Sequence, residues 1–349
     1  MPLPITPPYA PMEALANDEL PSGSGWRFEP KWDGFRCLAF RDGVRLDLQS
    51  KSGRPLTRYF PEIAEALRAL PARRFVLDGE IVIPAGSGLS FDALQQRIHP
   101  AASRVAKLAL EHPALMVAFD LLVDERGRNL VAQQLRIRRQ ALERFASAHL
   151  RGSDRIRLSP STASRPRAVR WLARSGRALD GVIAKRDDLP YRSGERDGMV
   201  KVKPVRTVDC VVAGFRWREG TRLVGSLLLG LHDQAGVLHH VGFTSGIRDV
   251  ERDELTRRMV KLVAPSSFTG RAPGGPSRWA GGRSAEWVPV RPELVVEVAY
   301  DQVTGERFRH GTRLLRWRLD KAPEQCGLDQ ITATGHGYGA LLRVGGIAH

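Results

Sequence analysis

The sequence predicts an α+β protein of two domains, with packed antiparallel sheets and helices first and a small β-barrel second. Three observations support this class. A chain of 349 residues is longer than one typical domain. Up to Lys203, strand-like and helix-like runs alternate at irregular spacing. After Lys203, most runs are strand-like and are separated by turn residues.

The first domain is predicted to span residues 1–203. Its strand-like runs are "RCLAF", "VRLDLQ", "RFVLDGEIVI", "LMVAFDLLV", "DGVIAKR" and "MVKVK". Its helix-like runs are "YFPEIAEALRAL", "FDALQQRI", "QLRIRRQALERFASAHL" and "PRAVRWLARSGRAL". The long helix from about Leu135 carries basic residues, which we expect on a solvated outer face.

The second domain is predicted to span residues 204–349, after a hinge at "PVRT" (204–207). Its strand-like runs are "DCVVAGFRW", "LVGSLLLGLHD", "LHHVGFTS" and "ELVVEVAYDQVT". One helix at 249–263, with Asp249 as its N-cap, interrupts them. This pattern fits a Greek-key barrel of the OB type. The Gly-, Pro-, Ser- and Arg-rich segment 266–283 is predicted to be a mobile basic loop.

The net charge of +16 indicates a polyanionic partner, either nucleic acid or an anionic membrane. No apolar run approaches the roughly 18 residues of a membrane span, and the proline-broken N-terminus does not resemble a signal peptide. The cysteines at 37, 210 and 326 fit buried thiols in a reducing compartment. We therefore expect a cytoplasmic protein that binds nucleic acid, without a structural zinc.

The stretch "EPKWDGFR", residues 29–36, places Lys31 at the end of a strand-like run and before an Asp-Gly turn. In one interpretation this is a hairpin, and Lys31 is a solvated edge charge. In the other, Lys31 is a nucleophile. The eight residues alone leave both interpretations open.

Five further segments accompany this one, and together they resemble a known motif set. They are "LDGE" (77–80), "AFDLL" (118–122), "DGVIAK" (180–185), "MVKVK" (199–203) and "RFRHGTRLLRWRLDK" (307–321). In this order they resemble the nucleotidyltransferase motifs of ATP-dependent DNA ligases, closest to the small two-domain actinobacterial ligases of the ligase C type. The resemblance runs from about Pro21 to Cys326. It implies an ATP-grasp-like adenylation (nucleotidyltransferase) domain followed by an OB-fold domain.

The resemblance also implies an activity, cofactors and partners. A lysine takes AMP from ATP, AMP passes to the 5′-phosphate at a nick, and the 3′-hydroxyl then seals the strand. ATP and Mg²⁺ or Mn²⁺ are the implied cofactors. Nicked double-stranded DNA is the implied substrate of a monomer that acts at the nucleoid, with repair proteins as possible partners, in DNA repair and recombination. Two alternatives are another covalent nucleotidyltransferase, such as an RNA ligase or a capping guanylyltransferase, and a non-catalytic OB-fold protein that binds DNA.

By the resemblance, Lys31 is the lysine that carries AMP. A free lysine has a pKa near 10.4 and is a poor nucleophile at neutral pH. Neighbouring cations penalise its charged form, and the motifs place Lys185, Lys201 and Lys203 around it. Alternation in a strand points Lys201 and Lys203 to one face, as a shared phosphate site requires.

The resemblance also implies a nucleotide contact for each of several other residues of the first domain. The resemblance places Glu29 beside the adenine edge, with Phe119 and Ile183 on the two faces of the base. Arg36 is implied to contact the nucleotide phosphate or ribose. Lys51, where many relatives have arginine, is implied to contact the nucleotide as a point charge.

Carboxylates are implied as the metal and ribose contacts. Glu80 matches the family's ribose or metal contact. Asp180 stands where the family usually has glutamate, and it is implied to help hold the divalent metal, since hard oxygen ligands suit Mg²⁺.

In the second domain, residues 307–318 include five arginines and no acid. By the resemblance, Arg316, Arg318 and Lys321 orient the pyrophosphate leaving group, and Asp320 positions them. This role requires a mobile OB domain that turns about the hinge.

We expect DNA binding to depend strongly on salt, because the chain carries a net charge of +16. Each neutralised phosphate contributes roughly −0.9 to the slope of log K against log salt concentration. Binding isotherms on duplex DNA across a salt series measure that slope. A slope near zero would mean that this charge does not contact DNA.

Overall fold

The computed structural model describes residues 2–86, 88–173, 175, 179–274 and 286–331. The chain divides into two compact units between Pro204 and Val205. The elements of the first unit are β1 (Leu15–Asn17), β2 (Trp26–Lys31), β3 (Phe35–Asp42), β4 (Arg45–Ser50), α1 (Pro61–Ala69), β5 (Arg74–Val82), β6 (Pro84–Ala85), β7 (Gly88–Leu89), α2 (Phe91–Arg97), α3 (Ala102–Glu111), β8 (Leu115–Val123), α4 (Leu135–His149), β9 (Ile156–Leu158), α5 (Arg165–Ala173), β10 (Gly181–Arg186) and β11 (Met199–Val202).

Two main sheets form the first unit, in the orders β1-β11-β10-β2 and β4-β3-β5-β8-β9. Their pairs are antiparallel except β1 with β11 and β8 with β9. Apolar side chains on β2 and β10, such as Phe28 and Val182, pack in one cluster with Val82 and Val117 of the larger sheet. A second cluster joins the larger sheet to α1 and α4. The larger sheet is therefore the middle layer.

The second unit is an OB-type β-domain, as predicted. Its elements are β12 (Arg206–Trp217), β13 (Val224–His232), β14 (Leu238–Thr244), α6 (Arg252–Val260), β15 (Val288–Tyr300), β16 (Val303–Thr304), β17 (Arg307–Phe308) and β18 (Arg313–Trp317). The main sheet has the order β14-β13-β12-β15-β18. A parallel bridge between Thr244 and Thr312 links its two edges, and α6 contributes Leu255 and Met259 to the core.

The structure extends or corrects several predicted boundaries. The helix α3 and the short strands β1 and β9 are additional elements. Residues 249–251 form a 3₁₀ turn, and Asp249 binds the guanidinium groups of Arg218 and Arg252 instead of capping α6. Thr207 lies within β12, so the predicted hinge residues 206–207 are part of a strand.

The predicted mobile loop 266–283 is described only up to residue 274. This first part runs beside β14. The Gly270 N–H donates to the Leu238 carbonyl over 3.0 Å, and the His240 N–H donates to the Arg271 carbonyl over 2.8 Å. Residues 270–271 therefore pair with β14, the mobility of the segment stays a prediction, and residues 275–283 lie outside the described ranges.

The basic face of α4 is not wholly solvated, because Arg138 and Arg139 are buried. The Nε and Nη2 of Arg138 each donate to one carboxylate oxygen of Asp120 on β8 over 2.9 Å. Burial alone would raise the pKa of Asp120, but Arg138 outweighs that effect and holds the pKa below its usual range. Periodicity predicted a solvated face here because it cannot reveal a carboxylate on a distant strand.

None of the helices in the described ranges has the length and apolar character needed to cross a membrane.

Replacing Asp120 by Ala should destabilise the first unit by about 3–5 kcal/mol, because it leaves a buried guanidinium without its partner. The contribution of Asp120 should be present at neutral pH and disappear as the pH falls through its lowered pKa. Urea unfolding measures both effects.

Asp47→Ala is the control, since Asp47 pairs with Arg45 at the surface and such pairs contribute about 0–1 kcal/mol. Equal losses in the two variants would contradict a special role for the buried pair.

Candidate active site

Three strands align the motif residues of the smaller sheet. In the register of β2, β10 and β11, Glu29 lies opposite Ile183, and Ile183 lies opposite Lys201. Lys31, at the end of β2, lies opposite Gly181. Because side chains alternate along a strand, residues two apart share a face. Three separate sequence motifs thus present their side chains on one surface.

A cavity of about 230 Å³ lies at this surface within the first unit. It contains nine of the ten predicted nucleotide-contacting residues, all except Lys203. Its lining residues are Pro11, Met12, Glu13, Ala14, Glu29, Pro30, Lys31, Trp32, Arg36, Lys51, Glu80, Phe119, Ile183, Lys185, Met199 and Lys201. The N-terminal segment 11–14 was not predicted to take part, because it carries no motif.

Lys31 is held by Asp180. The Lys31 Nζ donates a hydrogen bond to the Asp180 carboxylate, and the Lys203 Nζ lies 3.1 Å from the same group. The Asp180 N–H donates to the Lys31 carbonyl over 2.8 Å. The next residue, Gly181, has φ +137°, and a Cβ there would lie 2.1 Å from the Val202 carbonyl oxygen. Only glycine fits this close approach of β10 to β11.

Lys201 shows the effect of crowding by cations. Burial lowers its pKa, and the neighbouring charges of Lys31 and Lys203 lower it further. Lys31, Lys201 and Lys203 therefore lie close to one another, and Asp180 supplies the opposite charge.

Glu29 is a buried carboxylate with one oxygen engaged. Its Oε2 lies 2.8 Å from the Lys185 Nζ, whereas its Oε1 has no hydrogen-bond partner among the described residues. The Arg139 Nη1 is 3.7 Å from Oε1. The Lys185 Nζ also lies 4.5 Å from the centre of the Phe119 ring. The cavity is therefore lined by a buried carboxylate, held between Lys185 and Arg139, near an aromatic face.

Arg36 is fixed by residues that the sequence analysis missed. Its Nε and Nη2 each lie 2.6 Å from an oxygen of buried Asp78, and its guanidinium carbon lies 4.6 Å from the Phe119 ring centre. The Tyr191 hydroxyl donates to Asp78 over 2.7 Å and accepts the Met12 N–H over 3.0 Å. Burial alone would lower the pKa of Arg36, but the Asp78 carboxylate outweighs this effect and raises the pKa above its usual value. Asp78 lies within "LDGE", so a search of that motif for a buried acid could have found it.

Glu80 lies opposite Arg36 in the pairing of β3 with β5. Burial raises the pKa of Glu80 to about 7, although Arg36 and Lys31 act against this rise. At the rim of the cavity, the Lys51 Nζ lies 3.0 Å from the Glu13 carboxylate, which also accepts from Arg196 over 3.2 Å.

The predicted pyrophosphate residues form a salt-bridge cluster in the second unit. The Arg318 Nη1 lies 2.9 Å from both carboxylate oxygens of Asp209, and its Nη2 lies 2.9 Å from Asp320. The Lys321 Nζ is 2.8 Å from Asp209. Hydrogen bonding from Arg318 lowers the pKa of Asp320 to about 2. Sequence reasoning missed Asp209, which is distant in sequence from both cations.

Arg316 is less enclosed than Arg318. Its side chain is 64% exposed and pairs with Glu297 over 2.6 Å. Glu297 was also missed, because it belongs to the neighbouring strand β15.

A lysine at a strand end, in a cavity rich in cations, together with an OB-type unit, defines a covalent nucleotidyltransferase. The family described as ATP dependent DNA ligase domain matches residues 13–203, and the ATP dependent DNA ligase C terminal region matches residues 220–321. The chain belongs to the ATP-dependent DNA ligase family.

Similar proteins support the same membership. DNA ligase C2 of Mycolicibacterium smegmatis is 44% identical, over 96% of this chain and 98% of the relative. DNA ligase C of Mycobacterium tuberculosis is 42% identical, over 95% of this chain and 96% of the relative. A solved structure from a study of Lig E DNA ligases has a TM-score of 0.52 at 18% identity, covering 88% of this chain and 99% of that one, and it supports the fold alone.

The raised pKa of Glu80 predicts a pH effect on stability. Between the ordinary carboxyl pKa, about 4.3, and its raised value, the folded chain holds a proton that the unfolded chain has lost. The free energy of unfolding should therefore fall as the pH rises through this window, and Glu80→Gln should remove that part of the fall. Urea unfolding from about pH 5 to pH 8 checks this.

The exposed Glu65→Gln is the matched control and should follow the parent. Parallel profiles for the parent and Glu80→Gln would show that Glu80 is already ionised in this range.

Proposed function

We propose that Lys31 is the nucleophile of this DNA ligase. Its amine attacks the α-phosphorus of ATP, a P–N bond forms, and the P–O bond to pyrophosphate breaks. The AMP then passes from Lys31 to the 5′-phosphate at a nick. The 3′-hydroxyl attacks that phosphate, and AMP leaves as the strand is sealed. The observation that carries this proposal is the position of Lys31, in the cavity and bonded to Asp180.

Adenine is the base that suits the cavity. Phe119 and Ile183 supply apolar faces for stacking. Glu29 lines the same cavity, and an ionised carboxylate can only accept hydrogen bonds. The exocyclic amine of adenine can donate, whereas guanine carries an acceptor oxygen at the same ring position. This favours ATP over GTP and argues against a capping guanylyltransferase.

The triphosphate would lie among the cations of the cavity. Lys31, Lys51 and Lys201 line it, and Lys203 reaches Asp180 from the same sheet. These charges offset the developing negative charge of the leaving group. Arg36, held rigidly by Asp78, contacts the phosphate or ribose in this scheme.

A divalent metal is proposed to bind two carboxylates of the first unit. Within the described ranges, no group of three or more potential protein ligands lies together. Glu80 and Asp180 would hold Mg²⁺ or Mn²⁺ with phosphate oxygens and water, since Mg²⁺ commonly takes only one or two carboxylates. When bound, the ion would neutralise triphosphate charge.

The second unit is proposed to complete the first step. Arg316, Arg318 and Lys321 would orient pyrophosphate, with Asp320 as their positioning residue. Because Arg318 and Lys321 both bind Asp209, they would exchange this carboxylate for phosphate oxygens. The proposed domains are 1–203 and 204–349, with the hinge at residues 204–205 before β12. The proposed substrate is nicked duplex DNA bound by a monomer during repair.

The alternative functions differ in their substrates. An RNA ligase would prefer RNA ends, a guanylyltransferase would use GTP, and a non-catalytic binder would use no nucleotide. A nick-sealing assay that compares ATP, GTP and NAD on DNA and RNA separates these cases. We expect sealing of DNA with ATP.

Replacing Lys31 by Ala should abolish the covalent AMP adduct, and Arg should be as severe because guanidinium stays protonated and cannot attack. Both variants should retain some sealing of a nick that already carries 5′-AMP, since that step uses the 3′-hydroxyl. Transfer of α-labelled ATP to the protein measures the first effect.

The control is Lys107→Ala, which removes a lysine that is 73% exposed on α3 and should label like the parent. Persistent labelling of Lys31→Ala would identify Lys31 as no more than a strand-end charge.

Arg318→Ala should slow enzyme adenylylation by about 10²–10³-fold, the usual effect of removing one donor that stabilises developing charge. Arg316→Ala should have a smaller effect, because Arg316 is more exposed. Single-turnover labelling measures the rate, and Arg313→Ala serves as control, since Arg313 is exposed on β18 just before Arg318. If the Arg318 variant reacts like this control, the cluster has another role.

A further inference from the structure

A group of buried N–H donors in the second unit has no acceptor among the described residues. These donors are Nε of Arg216, Nε of Arg271 and Nε2 of His240. The Nη2 of Arg307 lies 3.4 Å from the other ring nitrogen of His240. Buried polar groups in folded proteins almost always have hydrogen-bond partners. Several unpaired donors in one place therefore indicate a ligand.

The strands and the segment after α6 bring these side chains together. Phe215 and Val241 point into the core, so their neighbours Arg216 and His240 lie on the opposite face of the sheet. The His240 N–H donates to the Arg271 carbonyl over 2.8 Å, which holds Arg271 beside the ring. The ring of Phe268 packs edge-on against His240 at 5.4 Å.

The protonation of His240 follows from its neighbours. An arginine can only donate, so the His240 Nδ1 must accept from Arg307. The proton of the neutral ring is then on Nε2. Burial, with Arg307, Arg216 and Arg271, lowers the pKa of His240 to about 3, so the ring stays neutral at physiological pH. His240 is thus a neutral ring beside three cations, and a hydrogen bond with the Gly242 backbone acts against the lowering of its pKa.

The charge of this group is poorly compensated. Glu306 pairs with the Arg271 Nη2 over 3.2 Å. Arg216 forms no hydrogen bond or ion pair with any described residue, and its guanidinium carbon lies 6.0 Å from the Phe243 ring centre. Burial lowers the pKa of both Arg216 and Arg307. Leaving charge and donors unpaired is costly, and an anion with several oxygens would satisfy both.

We propose that Arg216, His240, Arg271 and Arg307 form a phosphate-binding site, the His240 site, that takes one phosphodiester group of the DNA backbone. A phosphodiester supplies two non-bridging oxygens to converging N–H donors, and arginine is suited to such contacts. Arg307 is exposed, and Arg216 and Arg271 are half-buried, so a polymer can reach the guanidinium groups from solvent although the Nε atoms themselves are buried. The choice of DNA as the source rests on the proposed ligase function.

The test is binding of the full chain to nicked duplex DNA across a salt series, measured by fluorescence anisotropy. Arg216→Gln should weaken binding by roughly ten- to a hundredfold, the size of a lost charge-assisted hydrogen bond. It should also reduce the magnitude of the salt slope by about 0.9, as expected for one phosphate contact. Arg216→Lys should bring the salt slope close to that of the parent but restore the affinity only in part. Lysine keeps the positive charge but lacks the planar guanidinium that donates two parallel hydrogen bonds.

Arg257→Gln on α6 is the matched control, since Arg257 is exposed, and it should bind DNA like the parent. Arg307→Gln tests the same site with an exposed side chain, so loss of folding does not explain its effect. It should reproduce the change in slope.

Unchanged affinity and slope in both the Arg216 and Arg307 variants would overturn the proposal. If these variants instead lose inhibition of enzyme adenylylation by inorganic phosphate or pyrophosphate, with DNA binding intact, the site takes free phosphate and the DNA assignment is wrong. Labelling by ATP reports separately on Lys31, so failure of the His240 site is distinguishable from failure of the proposed nucleophile.

Discussion

The pairing of β10 with both β2 and β11 is the constraint on which the candidate active site depends. It places Glu29, Ile183 and Lys201 in one row and brings Asp180 beside Lys31. A shift of one residue in either pair would turn one set of side chains to the opposite face. Gly181 permits the close approach that this register requires. The chemistry therefore depends first on backbone hydrogen bonds.

Two carboxylates hold the cations around the cavity, and they differ in the number of cations that each one binds. Asp78 is fully buried, and it holds Arg36 through two short contacts while Tyr191 satisfies it from another side. Such a pair is strongly coupled and suits a rigid positioning role. Asp180 instead serves two lysines at once. An acid shared in this way can give up one partner and keep the other, which suits a residue next to the proposed nucleophile Lys31.

The sequence could predict much of the fold because its patterns are local. The alternation in "MVKVK" and the run "LMVAFDLLV" gave correct strands, and the motif order identified the residues that now line one cavity. What it could not predict is pairing across long separations. Asp78 and Tyr191 are 113 positions apart, and Asp209 and Arg318 are 109 apart. Neither pair leaves a periodic signal, and the same is true of the burial of Arg138.

The two arginine clusters of the second unit differ in how far nearby carboxylates neutralise their positive charge. This difference suggests different roles. Asp209 and Asp320 neutralise Arg318, so a phosphate must compete with acids that are already present. Such a cation suits a contact that forms and breaks within a reaction cycle. Around His240, Arg216 has no carboxylate partner among the described residues. In the part of the chain that the structure describes, only Arg271 of this group has a carboxylate partner, Glu306, so the remaining positive charge favours a bound anion. This suits the proposed permanent contact with DNA, whereas the Asp209 cluster suits a contact that changes partners.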